Sequence, residues 1–236
     1  MKLRAVIFDL FGTLVDDFVS ATAPMNAEMA TALNMPLEQF KLHWGQASGL
    51  RIIGEFQTVE SSIEHVCRLI DVVPTAEQIA NAVKIRLRYI RQALTPRPIA
   101  IATLAHLKEL GCKIGLLSNC SIEIPILWSE TEFAALVESP VFSARVRLRK
   151  PDPRIYHLTC ERLGVMPEGS LYVADGENHE LAAAAKVGLH AVLLRNSSRD
   201  DNREVLREAR EWQGNIVEAL PEVVNLVGTN LDRRTI

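Results

Sequence analysis

Asp9 ends the apolar run A-V-I-F and opens the stretch D-L-F-G-T-L. A strand-end carboxylate can simply cap a turn. Gly12, however, permits a tight turn close to a ligand, and the Thr13 hydroxyl can fix the loop, so the pattern favours a carboxylate kept for chemistry. Two further apolar runs end in polar residues: K-I-G-L-L-S-N in Ser118 and Asn119, and S-L-Y-V-A-D in Asp175. If these runs are neighbouring parallel strands, their polar ends meet at one sheet edge. Ligands of open parallel sheets bind beyond the carboxyl ends of the strands, so that edge is a candidate catalytic floor.

The elements that must position these groups are legible in the pattern. A-V-I-F-D, K-I-G-L-L-S-N, S-L-Y-V-A-D and H-A-V-L-L-R read as short strands apolar on both faces, with S-P-V-F-S and N-I-V-E-A-L as weaker candidates. Helical patterns lie between them and stop at Gly111, Gly164 and Gly188. Alternating strand and helix predicts a doubly wound α/β fold with a Rossmann-like parallel sheet. The first strand is followed by about eighty residues of helical pattern, far more than one crossover helix requires. Thr75 opens a capping box T-A-E-Q, after which Ile79, Val83, Leu87, Ile90 and Leu94 recur at helical spacing. The expected organisation is therefore a catalytic core over residues 1–14 and 97–236, with a small all-helical cap over residues 15–96. The exit L-T-P-R-P cannot continue a helix and marks the second boundary.

Composition narrows the function classes. The chain has 236 residues, 48% of them hydrophobic, which is enough for a sizeable core, and a net charge of −3 with both signs interspersed. No global field recommends nucleic acid or an anionic membrane as a partner. Apolar runs fall short of a bilayer span and no signal-peptide pattern opens the chain, so a cytoplasmic location is expected. Cys67, Cys112, Cys120 and Cys160 form no C-x-x-C pair, which points to free thiols in a reducing compartment.

Four motifs in order, D-L-F-G-T at 9–13, L-L-S-N at 116–119, R-K-P-D-P at 149–153 and Y-V-A-D-G with Glu180 at 172–180, resemble the haloacid dehalogenase superfamily of hydrolases, in the branch with a helical cap inserted after the first core strand. The resemblance implies that Asp9 is the nucleophile, forming an aspartyl phosphate that water then hydrolyses. It implies Mg²⁺ held by Asp9, Asp175 and the main-chain carbonyl of Phe11, with Glu180 orienting metal-bound water. Lys150 would offset charge at the nucleophile. Ser118 and the main-chain N–H of Asn119 would hold the transferring group.

Position 11 departs from the family's phosphatases, most of which carry a second aspartate there to protonate the leaving group. Phe11 cannot do so. Dehalogenases of the superfamily have an aromatic residue at this place, but they work without metal and lack the acidic residue retained here as Asp175. The leading expectation is a Mg²⁺-dependent hydrolase of a small phosphorylated substrate. A 2-halo acid hydrolase and a slow phosphate-binding regulatory protein are the alternatives. Arg51, in the loop W-G-Q-A-S-G-L-R, is a candidate specificity contact. Lys84, Arg88 and Arg91 read as a solvated helix face. His179 reads as an exposed helical histidine, and Trp128 and Trp212 as packing residues.

Overall fold

The computed structural model describes residues 3–195 and 207–228; residues 1–2, 196–206 and 229–236, which belong to the expected core, lie outside it. Six strands, β1 (Ala5–Phe8), β2 (Lys113–Ser118), β3 (Ser139–Phe142), β4 (Ser170–Ala174), β5 (His190–Leu194) and β6 (Asn215–Val217), form one parallel sheet in the order β3-β2-β1-β4-β5-β6. Both weaker candidates are strands. The sheet's two faces bury alternate residues, as the pleat requires. Val6, Phe8, Leu116 and Val173 enter one apolar cluster, while Ala5, Ile7, Leu117 and Tyr172 enter another.

Five helices follow β1: α1 (Val19–Ala32), α2 (Leu37–Gln46), α3 (Ser48–Ile52), α4 (Val59–Leu69) and α5 (Ala76–Ala93). They bury most of a third cluster, including Met29, Phe40, Trp44, Ile63 and Ala82, to which Ile122 before α7 also contributes. Thr58 and Thr75 cap α4 and α5, and each makes a reciprocal capping box with the residue three places on. Of the five periodic residues on α5, Ile79, Val83 and Ile90 are buried, as is Leu94 at its C-cap, while Leu87 is half-buried. Lys84, Arg88 and Arg91 are exposed.

The chain returns to the sheet through α6 (Ala100–Glu109), α7 (Glu123–Leu127), α8 (Ser143–Val146), α9 (Pro153–Leu163), α10 (Glu180–Lys186), α11 (Arg207–Glu211) and α12 (Glu222–Gly228). Asp152 caps α9 by accepting from the Arg154 N–H, Pro153 takes the first turn, and Gly164 ends the helix in a left-handed conformation. The R-K-P-D-P stretch is thus a helix start as well as the carrier of Lys150. Trp128 packs in the core against Phe133 and Phe142, and half-buried Trp212 donates its indole N–H to the Asn215 carbonyl. No helix among the described residues is long and apolar enough to cross a membrane.

Candidate active site

β1 pairs with β2 and β4 so that Phe8 lies level with Leu116 and Val173. Asp9 donates its N–H to the Val173 carbonyl, which brings it beside the ends of both neighbours. The loop then folds tightly. The Leu10 carbonyl receives the N–H groups of Thr13, Leu14 and Val15, and Gly12 supplies the φ of +78° that this turn needs. The buried Thr13 hydroxyl approaches Asp9 Oδ2 at 3.4 Å.

Four expected site residues converge on one buried cluster. Lys150 Nζ donates to Asp9 Oδ1 and to Glu180 Oε2, at 2.5 Å each, and to the Tyr172 hydroxyl at 3.0 Å. Tyr172 in turn donates to Glu180 Oε2 at 2.6 Å. Asp9, Asp175 and Glu180 offer carboxylate oxygens that all lie within 4.8 Å of one another. Glu180 is 1% exposed, so it is not a solvated helical residue. The Glu177 N–H ties two of the acids together, donating to Asp175 Oδ1 at 3.2 Å and to Glu180 Oε1 at 3.1 Å.

Three buried carboxylates lie together in a region of low dielectric, and two of them, Asp9 and Glu180, share the Lys150 ammonium. Burial alone would lower the Lys150 pKa, but Asp9 and Glu180 overcome it and hold the ammonium firmly charged. The strain falls on Asp9. Burial pushes its carboxyl up to about 7 against the pull of Lys150, and the Glu180 charge adds to the rise. A cluster with oxygen donors this closely spaced fits a hard divalent cation.

Asn119 serves as a clamp. Its Oδ1 accepts the Lys150 N–H at 2.9 Å and its Nδ2 donates to the Lys150 carbonyl at 3.1 Å, which joins the end of β2 to the lysine's main chain. The Ser118 hydroxyl is enclosed without a hydrogen-bond partner of ordinary geometry; the weak Cys120 thiol lies beside it, and Ser118 lines neither of the cavities described next.

Two cavities meet at this edge. One, of about 420 Å³, is lined by the buried Asp9, Lys150 and Glu180 and by the exposed His179. The other, of about 480 Å³, runs under the helical insert and is lined by Arg51, Arg86 and Asn26 among apolar side chains. Phe11, half-buried, lines both, as do Ile52 and Asn119. Arg51 sits on α3 with its guanidinium 3.9 Å from the Trp44 ring centroid.

Sequence reasoning missed several participants. Tyr172 was hidden inside an apolar strand pattern. Arg86, on α5, is buried and pairs with Glu123 of α7 at 2.6 Å; its place three residues after Val83 and four before Ile90 puts it on the apolar stripe, which is the signal that could have marked it. Glu208 of α11 accepts the N–H groups of Leu181 and Ala182 at 3.0 and 2.7 Å, which pins the start of the helix that carries Glu180.

Comparison with known proteins identifies the family. Residues 3–188 match the model of the haloacid dehalogenase-like hydrolases. The chain is 28% identical over 200 residues to (S)-2-haloacid dehalogenase 4A of Burkholderia cepacia, covering 82% of this chain and 83% of that protein. It is 29% identical over 185 residues to phosphoglycolate phosphatase 1 of Pseudomonas aeruginosa, covering 77% and 66%. The crystal structure of a HAD phosphatase from Thermococcus onnurineus has the same fold, with a TM-score of 0.66 and 20% identity over 96% of this chain and 98% of that one. With the family model spanning most of the sheet and all four motifs, the chain belongs to the haloacid dehalogenase-like hydrolases.

Proposed function

We propose that the protein is a Mg²⁺-dependent phosphatase of a small phosphomonoester, with Asp9 as nucleophile. The observation that carries this reading is the buried trio Asp9, Asp175 and Glu180, whose carboxylate oxygens all lie within 4.8 Å of one another. Carboxylates packed this closely repel an anionic substrate, and the raised pKa of Asp9 leaves it a poor nucleophile unless positive charge enters beside it. Asp9, Asp175 and the Phe11 carbonyl would hold Mg²⁺. When bound, the ion supplies Lewis-acid charge that offsets nucleophile and phosphate together.

The chain's own residues account for the rest. An Asp9 carboxylate oxygen bonds to phosphorus as the ester P–O bond breaks, and the electron pair leaves with the alkoxide. Lys150 steadies charge at Asp9 and is held in place by Asn119, Tyr172 and Glu180. Water then attacks phosphorus, the Asp9–phosphorus bond breaks and phosphate is released. Phe11 can neither protonate the leaving alkoxide nor activate the water, so turnover depends on leaving groups that need little protonation.

One observation favours a second reading, hydrolysis of a 2-halo acid through attack of Asp9 on carbon. Phe11 stands where an acid would serve a phosphatase, a halide leaves without a proton, and relatives named as 2-haloacid dehalogenases align along most of the chain. Phosphate release from an aryl phosphate, with and without Mg²⁺, run beside halide release from 2-chloropropionate, separates the two. In the same assay Asp175→Asn should abolish the Mg²⁺-dependent part and weaken Mg²⁺ binding in a titration. Unchanged Mg²⁺ affinity in that variant would remove the metal assignment.

A further inference from the structure

The cavity under the insert holds positive charge that the protein does not neutralise. Arg86 is paired there: its Nε donates to Glu123 Oε1 at 2.6 Å and its Nη2 to the Ser121 hydroxyl at 3.3 Å. Arg51 is not. It is 8% exposed, donates from Nη1 to the Trp44 carbonyl at 2.8 Å and stacks on the Trp44 ring, yet it has no carboxylate within ion-pair distance among the described residues. Burial and the neighbouring Arg86 charge press its pKa below the usual arginine range, with Glu123 resisting only in part. A guanidinium nevertheless stays charged at neutral pH.

Two buried guanidiniums against one buried carboxylate leave a single uncompensated positive charge. A buried charge without a counter-ion is costly, and a fold that keeps one beside a cavity is built to receive an anion. Arg51 commits one of its five N–H donors to the protein by hydrogen bond, so a planar fork remains to be filled. Asn26, 6% exposed in the same wall, leaves its Oδ1 without a partner, and an amide can present either its oxygen or its NH₂ to a ligand. Phe18, Met25, Ile90 and Ile124 give the wall an apolar stretch, and polar groups in it such as Thr22 and Ser48 are uncharged. Lys41 stands in the wall but is half-exposed and already paired with Glu38.

We propose that this cavity is the subsite for the far end of the substrate and selects a monocarboxylate: an apolar body of a few carbons that passes Phe11 and Ile52 and ends in one carboxylate, received by Arg51 and supported by Arg86. The single excess charge matches a carboxylate and disfavours a second, dianionic phosphate. The inference rests on the proposed reaction at Asp9 only for the identity of the substrate's near end.

The test is calorimetric titration of the full chain with hexanoate and with hexanamide, which share a body and differ in charge. Wild type should bind hexanoate at least ~10-fold more tightly, as expected for one charge-assisted bidentate pair. Arg51→Met should bring the two ligands to within about 2-fold, while Arg51→Lys keeps part of the difference. Equal binding by wild type, or a preference that survives Arg51→Met, overturns the proposal. Should Arg51→Met fail to fold, Asn26→Asp places a carboxylate in the same wall and should remove the hexanoate preference while hexanamide still binds; a preference that persists there also overturns it. The same titration on Asp9→Asn keeps the questions apart, since the subsite should still prefer hexanoate when the reacting group is gone.

Discussion

Lys150 Nζ lies at the same 2.5 Å from Asp9 Oδ1 as from Glu180 Oε2, so one ammonium is shared between the end of β1 and the start of α10. Removing it leaves buried carboxylates facing one another. Lys150→Met should cost about 3–5 kcal/mol, the usual loss on breaking a buried pair from one side, read by urea denaturation in EDTA. Burial already raises the Asp9 pKa above its unfolded value, so the folded state holds the extra proton and this group's stability deficit grows as pH rises toward neutrality. In the variant the loss should therefore be smaller at pH 5 than at pH 7, and Mg²⁺ should recover part of it. A variant as stable as wild type in EDTA at pH 7 would show that the carboxylates do not depend on Lys150.

Phe11 lines both cavities without being fully buried, so an aspartate there meets no closed core. Phe11→Asp supplies the missing proton donor and should raise kcat on alkyl phosphates by ~10-fold or more, within the usual worth of general acid catalysis. Nitrophenyl phosphate, whose leaving group needs little protonation, should gain least. Equal gains on the two substrates would mean that the substitution acts through metal affinity or folding instead.

All four cysteines are buried and unbridged. Burial raises the thiol pKa of Cys67 and Cys120, and lifts Cys160 to about 11. Thiolate is the reactive form, so the folded protein at pH 8 should react slowly with Ellman's reagent, while all four thiols titrate at once in denaturant. Cys120 is the informative one because it lines the cavity under the insert. Rapid modification of Cys120 in the native state would make it a nucleophile in that cavity and contradict the burial argument.

The sheet was largely readable from sequence because parallel strands buried on both faces are short continuous apolar runs, and each polar residue that ends one marks the reactive edge. Asp9 and Asp175 stood out for this reason. Glu180 did not: its place at the start of a helix looks the same whether the side chain faces solvent or turns inward to Lys150. Arg86 was legible in part: three residues after Val83 and four before Ile90, it falls on the buried stripe of α5 and not with Lys84, Arg88 and Arg91, whereas its partner Glu123, 37 residues on, has no local signature. Asn119 was legible as a polar strand end, whereas its grip on the Lys150 main chain spans 31 residues and leaves no local trace.

The two chain segments that join the helices to the sheet are bonded to each other. Val15 bridges Pro96 in antiparallel fashion, the Arg97 N–H donates to the Leu14 carbonyl at 2.9 Å, and Arg97 Nη1 reaches the Gly12 carbonyl at 3.0 Å. Entry and exit therefore form a single two-stranded hinge rather than two independent tethers. Gly12 and Thr13 belong to it as well as to the loop that seats Asp9. A rotation of the helices about that hinge would turn the loop that seats Asp9, so access to the cavities and the orientation of that carboxylate are set by the same few peptide groups.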